Sequence, residues 1–161
     1  MLKTRPKFSW LHLVIFIVII EAIGSLSGWL SGDIKGIYNS LSLPVLSPPD
    51  WLFGIVWPIL YALMAIAGYL VFYLATTQRE RLMNTILFGT QLLLNFIWSI
   101  IFFSQSAYWW GLVVIIVLDL VVLMCLLQFY RSSRLAAGLM VPYFIWICFA
   151  TYLTLGVALL N

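Results

Sequence analysis

Charge is the scarcest property of this sequence. Only 8% of its 161 residues are charged, against about 25% in an average soluble domain. That shortage excludes an ordinary water-soluble fold. Acids number five, cysteines two (Cys125 and Cys148) and histidines one (His12). Both cysteines fall inside apolar runs, which suits buried small hydrophobes better than a disulfide or a metal pair. With a single histidine, no cluster has metal-ligand spacing and no Ser-His-Asp or Cys-His arrangement can be assembled. A phosphate-binding glycine loop is missing as well. Hydrolytic chemistry, metal sites and nucleic-acid partners are therefore not expected. What the chain has instead is apolar surface: 65% hydrophobic residues, 17% aromatic, eight tryptophans and a mean hydropathy of +1.12.

A spanning helix takes roughly 20 apolar residues, and five such runs are present, at about 10–30, 51–75, 82–103, 108–130 and 135–160. The expected fold class is an all-α integral membrane protein: one membrane domain over 1–161, built as a five-transmembrane-helix bundle. Lys3, Arg5 and Lys7 precede the first run, a start that resembles a cleavable signal. The run is long enough to span, however, and Glu21 interrupts it, so a retained helix is expected. Gly24, Gly28 and Gly32 recur every fourth residue and leave a strip for close helix contact, one candidate dimer face. The one long connection, 31–50, holds Pro44, Pro48 and Pro49 and reads as a stiff pocket lid. Gln78 to Arg81 reads as a charged turn. Seven of the eight Lys and Arg fall on the N-terminal side of the alternating spans and only Lys35 on the other. That asymmetry predicts a cytoplasmic N-terminus.

The stretch from Ser47 to Tyr61 organises the rest. After Pro48 and Pro49, the residues Phe53, Trp57 and Tyr61 recur at i, i+4 and i+8, which stacks three rings on one helical face. Pro58 lies within the same helix and should bend it. A pocket wall and lipid-buried packing both fit this face. Gln91, Asn95, Ser99 and Phe102 align on the third span, with Trp98 beside them. Amides at bilayer depth face protein or a cavity, so interhelical hydrogen bonding and cavity lining both remain open. In the fifth span Trp146 and Ala150 share a face beyond Pro142. Glu21 and Asp119 are the acids in mid-span, with no basic partner in any span. Carboxylic acids bonded to a neighbouring helix are favoured over a wet path for proton-coupled transport. His12 is expected at the membrane surface.

Three motifs then name a family. The stretch L-P-V-L-S-P-P-D-W-L-F-G-I-V-W-P-I-L-Y, the run Q-L-L-L-N-F-I-W-S-I-I-F-F and the run P-Y-F-I-W-I-C-F-A-T-Y-L resemble the translocator protein family. Its members are also called tryptophan-rich sensory proteins or peripheral benzodiazepine receptors. The likeness runs from Gly24 to Asn161, in order and spacing. It implies a five-helix bundle, a homodimer in the lipid bilayer, and a ligand cavity closed by the first loop. Implied ligands are flat apolar molecules: protoporphyrin and haem-type tetrapyrroles, isoquinoline carboxamides and benzodiazepines. The resemblance implies no required cofactor, with porphyrin as ligand. Carried over by motif, the ligand-binding residues are Tyr38, Trp57, Tyr61, Asn95, Trp98, Ser99, Phe102, Trp146 and Ala150. The carboxylates of such a ligand would need a partner at the rim, for which Lys35 or a loop N–H is the candidate. The resemblance also implies an alternative, light- and oxygen-dependent porphyrin degradation, in which Trp57 and Trp146 would be the catalytic, redox-active rings. The cholesterol motif of animal members is not matched: no Lys or Arg follows Tyr152. With the basic bias of one side, this favours a bacterial cell membrane over a mitochondrial outer membrane.

Overall fold

The computed structural model describes residues 8–161; the basic tail residues Lys3, Arg5 and Lys7 lie outside the described residues. Five long helices form an up-and-down bundle: α1 (Trp10–Leu30), α3 (Trp51–Leu74), α4 (Gln78–Ser99), α5 (Tyr108–Ser132) and α6 (Arg134–Leu160). All five, with α4 extended to Ser104, are long and apolar enough to span a membrane. A short helix, α2 (Ile34–Ser40), lies in the first connection. Among the described residues there is no strand.

Local chemistry sets the ends. Ser9, Asp33, Thr77 and Ser133 each accept a hydrogen bond from a backbone N–H in the first turn of the helix they precede. Such caps satisfy donors that a helix start otherwise leaves unpaired. Gly32, at φ +83°, ends α1 in a conformation that disfavours a side chain. Two boundaries differ from the sequence reading. The charged segment from Gln78 is the first turn of α4 rather than a turn between helices, because Thr77 caps it. The lid contains α2, because Asp33 accepts from the Gly36 N–H at 3.0 Å and starts a helix there.

Packing fixes the order of the helices. α5 packs against α6 and α4, and α3 packs against α1 and α6. Tyr69 clasps the start of α1 from α3: its hydroxyl donates to the Ser9 carbonyl at 3.0 Å and accepts from the Ser9 N–H at 3.1 Å. Gly68 receives the Phe88 ring in a space that a Cβ would fill. Met64, Val122, Phe129, Met140 and Tyr143 are among the fully buried side chains at the centre. Val14, Val18 and Leu26 of α1 and Ile116, Leu120 and Leu127 of α5 point outward and are exposed. A bilayer covers such surface at no cost, since lipid tails are as apolar as the side chains.

The candidate ligand cavity

A cavity of about 390 Å³ lies between α1, α3, α4 and α6, beneath the lid. The i, i+4, i+8 face of α3 is its wall. Trp57 stacks on Tyr61 with ring centroids 5.4 Å apart, and Phe53 meets Tyr38 of the lid edge-on at 5.0 Å and Trp146 of α6 at 6.0 Å. Asn95, Trp98 and Ser99 enter from α4, and Ala150 lies one turn beyond Trp146 on α6.

Eight of the nine sequence-predicted residues therefore line one space; Phe102 does not. Its ring stacks on Trp98 at 5.3 Å and covers Gly111 of α5, and Phe103 lines the cavity in its place. The cause is a π-helical turn, Ile100–Ser104, in which the Gln105 N–H reaches back to the Ile100 carbonyl at 3.2 Å. An i→i+5 turn holds more residues than an α turn, so the face running through Asn95 and Ser99 passes to Phe103.

The back of the cavity is a small polar network. The Tyr61 hydroxyl donates to Asn95 Oδ1 at 2.7 Å, and Asn95 Nδ2 donates to the Tyr143 hydroxyl at 3.2 Å. Asn95 thus joins three helices, and the cavity and hydrogen-bonding readings of this residue both hold. Gln91 differs: it is fully buried, yet neither amide atom has a partner among the described residues. The indole N–H groups of Trp98 and Trp146 are likewise buried without acceptors. Sequence reasoning missed Phe103, Tyr143 and the α1 contribution. Gly24 and Gly28 line the cavity, so two glycines of the strip proposed as a dimer face turn into the bundle. Their spacing of four was the available signal, but spacing does not say which neighbour a strip meets.

The lid is latched along its length. The Tyr38 hydroxyl donates to the Pro48 carbonyl at 2.8 Å, and burial pushes the phenol above its ordinary pKa. At the mouth Lys35 pairs with Asp50 at 3.4 Å, and Asn39 Nδ2 donates to the same carboxylate at 2.9 Å. On the far side the Asn161 amide brackets Ser42, accepting from its N–H at 2.9 Å and donating to its carbonyl at 3.0 Å. Ser31 and Ser99 hydroxyls meet at 2.9 Å where α1 passes α4.

Asp50 makes the latch pH-dependent. The hydrogen bond from Asn39, with Lys35 beside it, holds its carboxyl below the usual carboxylate value. The latch is therefore complete above that ordinary value, about 3.9, and is lost as pH falls through the depressed folded value. Amide exchange at Tyr38 and Asn39, after correction for intrinsic rates, should accelerate only on acidification below about pH 4. Asp50→Asn should remove that pH dependence.

The remaining in-span acids stand apart from the cavity. Asp119 Oδ2 accepts from the Thr151 hydroxyl at 2.7 Å, tying α5 to α6. Glu21 is half-buried on α1 and does not line the cavity. His12 is exposed in the first turn of α1.

Residues 16–160 match the TspO/MBR family. The chain belongs to that family. It is 38% identical to the tryptophan-rich protein TspO of Archaeoglobus fulgidus over 152 residues, covering 94% of this chain and 97% of the relative. With the TspO of Chlorobaculum tepidum it shares 39% identity over 124 residues, 77% of this chain and 78% of the relative. With the human translocator protein it shares 34% over 128 residues, 79% and 76% of the two chains. As a TspO/MBR member with five apolar spans it is an integral multi-pass membrane protein, of the TspO receptor or sensor type.

Proposed function

We propose that this TspO/MBR chain binds a flat, apolar tetrapyrrole, of the protoporphyrin class, in the cavity beneath the lid. The observation that carries the reading is the pairing of aromatic walls with few polar groups. Phe53, Trp57, Tyr61, Trp98 and Trp146 supply ring faces, and two buried indole N–H groups lack acceptors. Cavities of roughly 300–1,000 Å³ with mostly apolar walls and a few directed polar groups are the usual form of a small-molecule site. A macrocycle offers ring faces for stacking against these walls. Lys35, at the mouth, is the candidate partner for a propionate, in competition with Asp50. The same reading orients the N-terminus toward the cytoplasm of a bacterial cell, from the basic bias of that side, and takes two copies as the working unit.

Titration of purified protein with protoporphyrin IX in the dark should give saturable tryptophan quenching. Trp146→Phe should weaken it up to about tenfold, on the scale of one aromatic contact. Absence of saturable quenching would sink the proposal. Under light and oxygen, a stable spectrum assigns a receptor or carrier. A new absorbance band that needs protein, and is lost in Trp57→Phe or Trp146→Phe while binding persists, assigns porphyrin degradation instead.

A further inference from the structure

A second cavity, about 630 Å³, opens at the opposite end of the bundle, between the start of α4 and the end of α5. Arg79 and Glu80 of α4 and Gln128, Arg131 and Ser132 of α5 line it, with Met83 at its apolar edge. The acid is already engaged. Glu80 Oε2 accepts from the Thr76 N–H at 2.9 Å and the Thr76 hydroxyl at 3.1 Å, and Oε1 accepts from the Ser132 hydroxyl. Among the described residues neither arginine lies in an ion pair. Gln128 is turned the other way, donating to Asn84 in the core at 3.2 Å. The cleft therefore presents two guanidinium groups on facing helices against one carboxylate, a net positive lining. Glu80 already sits at the N-terminus of α4, which leaves the arginines as the groups that can take an anion.

Its depth says which anion. From Gln78 to Ser104 the α4 span is 27 residues, about 40 Å at 1.5 Å per residue, against a hydrocarbon core of about 30 Å. That excess lets the charged first turn of α4, Gln78 to Arg81, stand in the headgroup layer. Directly below it Leu82, Met83 and Ile86 of α4 and Met124 and Leu127 of α5 are exposed, as an acyl chain would require. We infer that this cleft is a phosphate-binding site whose occupant is the phosphodiester of a membrane phospholipid. Arg79 and Arg131 hold the phosphate, and the chains run down the exposed apolar side chains of α4 and α5.

The test is titration of the detergent-purified protein with short-chain phosphatidylglycerol and, separately, with inorganic phosphate, reading the thermal unfolding midpoint. Phosphatidylglycerol should raise the midpoint saturably and weaken with added salt, while inorganic phosphate should not. Arg79→Gln with Arg131→Gln should weaken the apparent affinity about thirtyfold, on the scale of two basic side chains at a membrane surface. Arg79→Lys with Arg131→Lys should recover most of it. Circular dichroism of the lipid-free variants checks that they fold, and the salt dependence of the unaltered protein tests the charge argument without any variant. Saturable binding of inorganic phosphate with the same loss would keep the phosphate site but overturn the lipid as occupant. A non-saturable response, or one unchanged in the glutamine variant, would overturn the site.

Discussion

Gly24→Ala is expected to lower stability by about 1–3 kcal/mol, the scale of an overpacked core site, and to abolish the proposed protoporphyrin binding. A Cβ on Gly24 would overlap the ring of Tyr61. That ring cannot step aside cheaply. It is stacked on Trp57, and its hydroxyl is bound to the buried Asn95. If Tyr61 yields, Asn95 loses its donor and the aromatic wall tilts into the cavity. If α1 yields, the helix that closes the cavity moves off α3. Gly28→Ala is the matched control: it also lines the cavity, but a Cβ there would meet only Ile34 Cδ1, at 4.0 Å. Thermal unfolding in detergent and porphyrin titration should separate the two variants. Equal behaviour of both would show that α1 is not clamped on Tyr61.

Asn95→Leu should cost about 2 kcal/mol or more, because it strands two groups rather than one. Tyr61 is 8% exposed and Tyr143 is fully buried. Without Asn95 the Tyr61 proton has no acceptor and the Tyr143 oxygen no donor. Replacing the whole set, Tyr61→Phe, Asn95→Leu and Tyr143→Phe, should recover most of the loss, since exchanging all partners for apolar groups of similar shape leaves nothing unpaired. A mutant cycle on unfolding free energy measures this coupling. A triple variant as unstable as the sum of the single ones would mean that the three residues contribute through packing, not through the network.

Much of this architecture is legible one helix at a time. Scarce charge and five apolar runs leave a multi-span helical bundle as the only way to satisfy backbone groups in lipid, short of a barrel, whose alternating pattern the sequence lacks. The positions of Phe53, Trp57 and Tyr61 follow from the α-helical period alone, as do those of Trp146 and Ala150. The lid was legible as a stiff connection, but not its helix: α2 is seven residues, too short to carry a periodic signal, and is started by a single cap at Asp33.

Phe102 marks where that reasoning stops. Counting by 3.6 puts it on the Asn95–Ser99 face, and only a π turn, which nothing in the residues announces, brings Phe103 there instead. Gln91 and Asn95 are both amides at bilayer depth on the same helix. Asn95 finds tyrosines on α3 and α6, while Gln91, one turn away, finds no partner among the described residues. The glycine strip of α1 was readable as a close contact, yet its direction, inward onto Tyr61, was not. Composition and period determined by themselves that the chain crosses a membrane five times and which side chains share a face on each helix. Only the tertiary structure decided which faces meet, because a helix fixes directions about its own axis, and its rotation against its neighbours is set by packing.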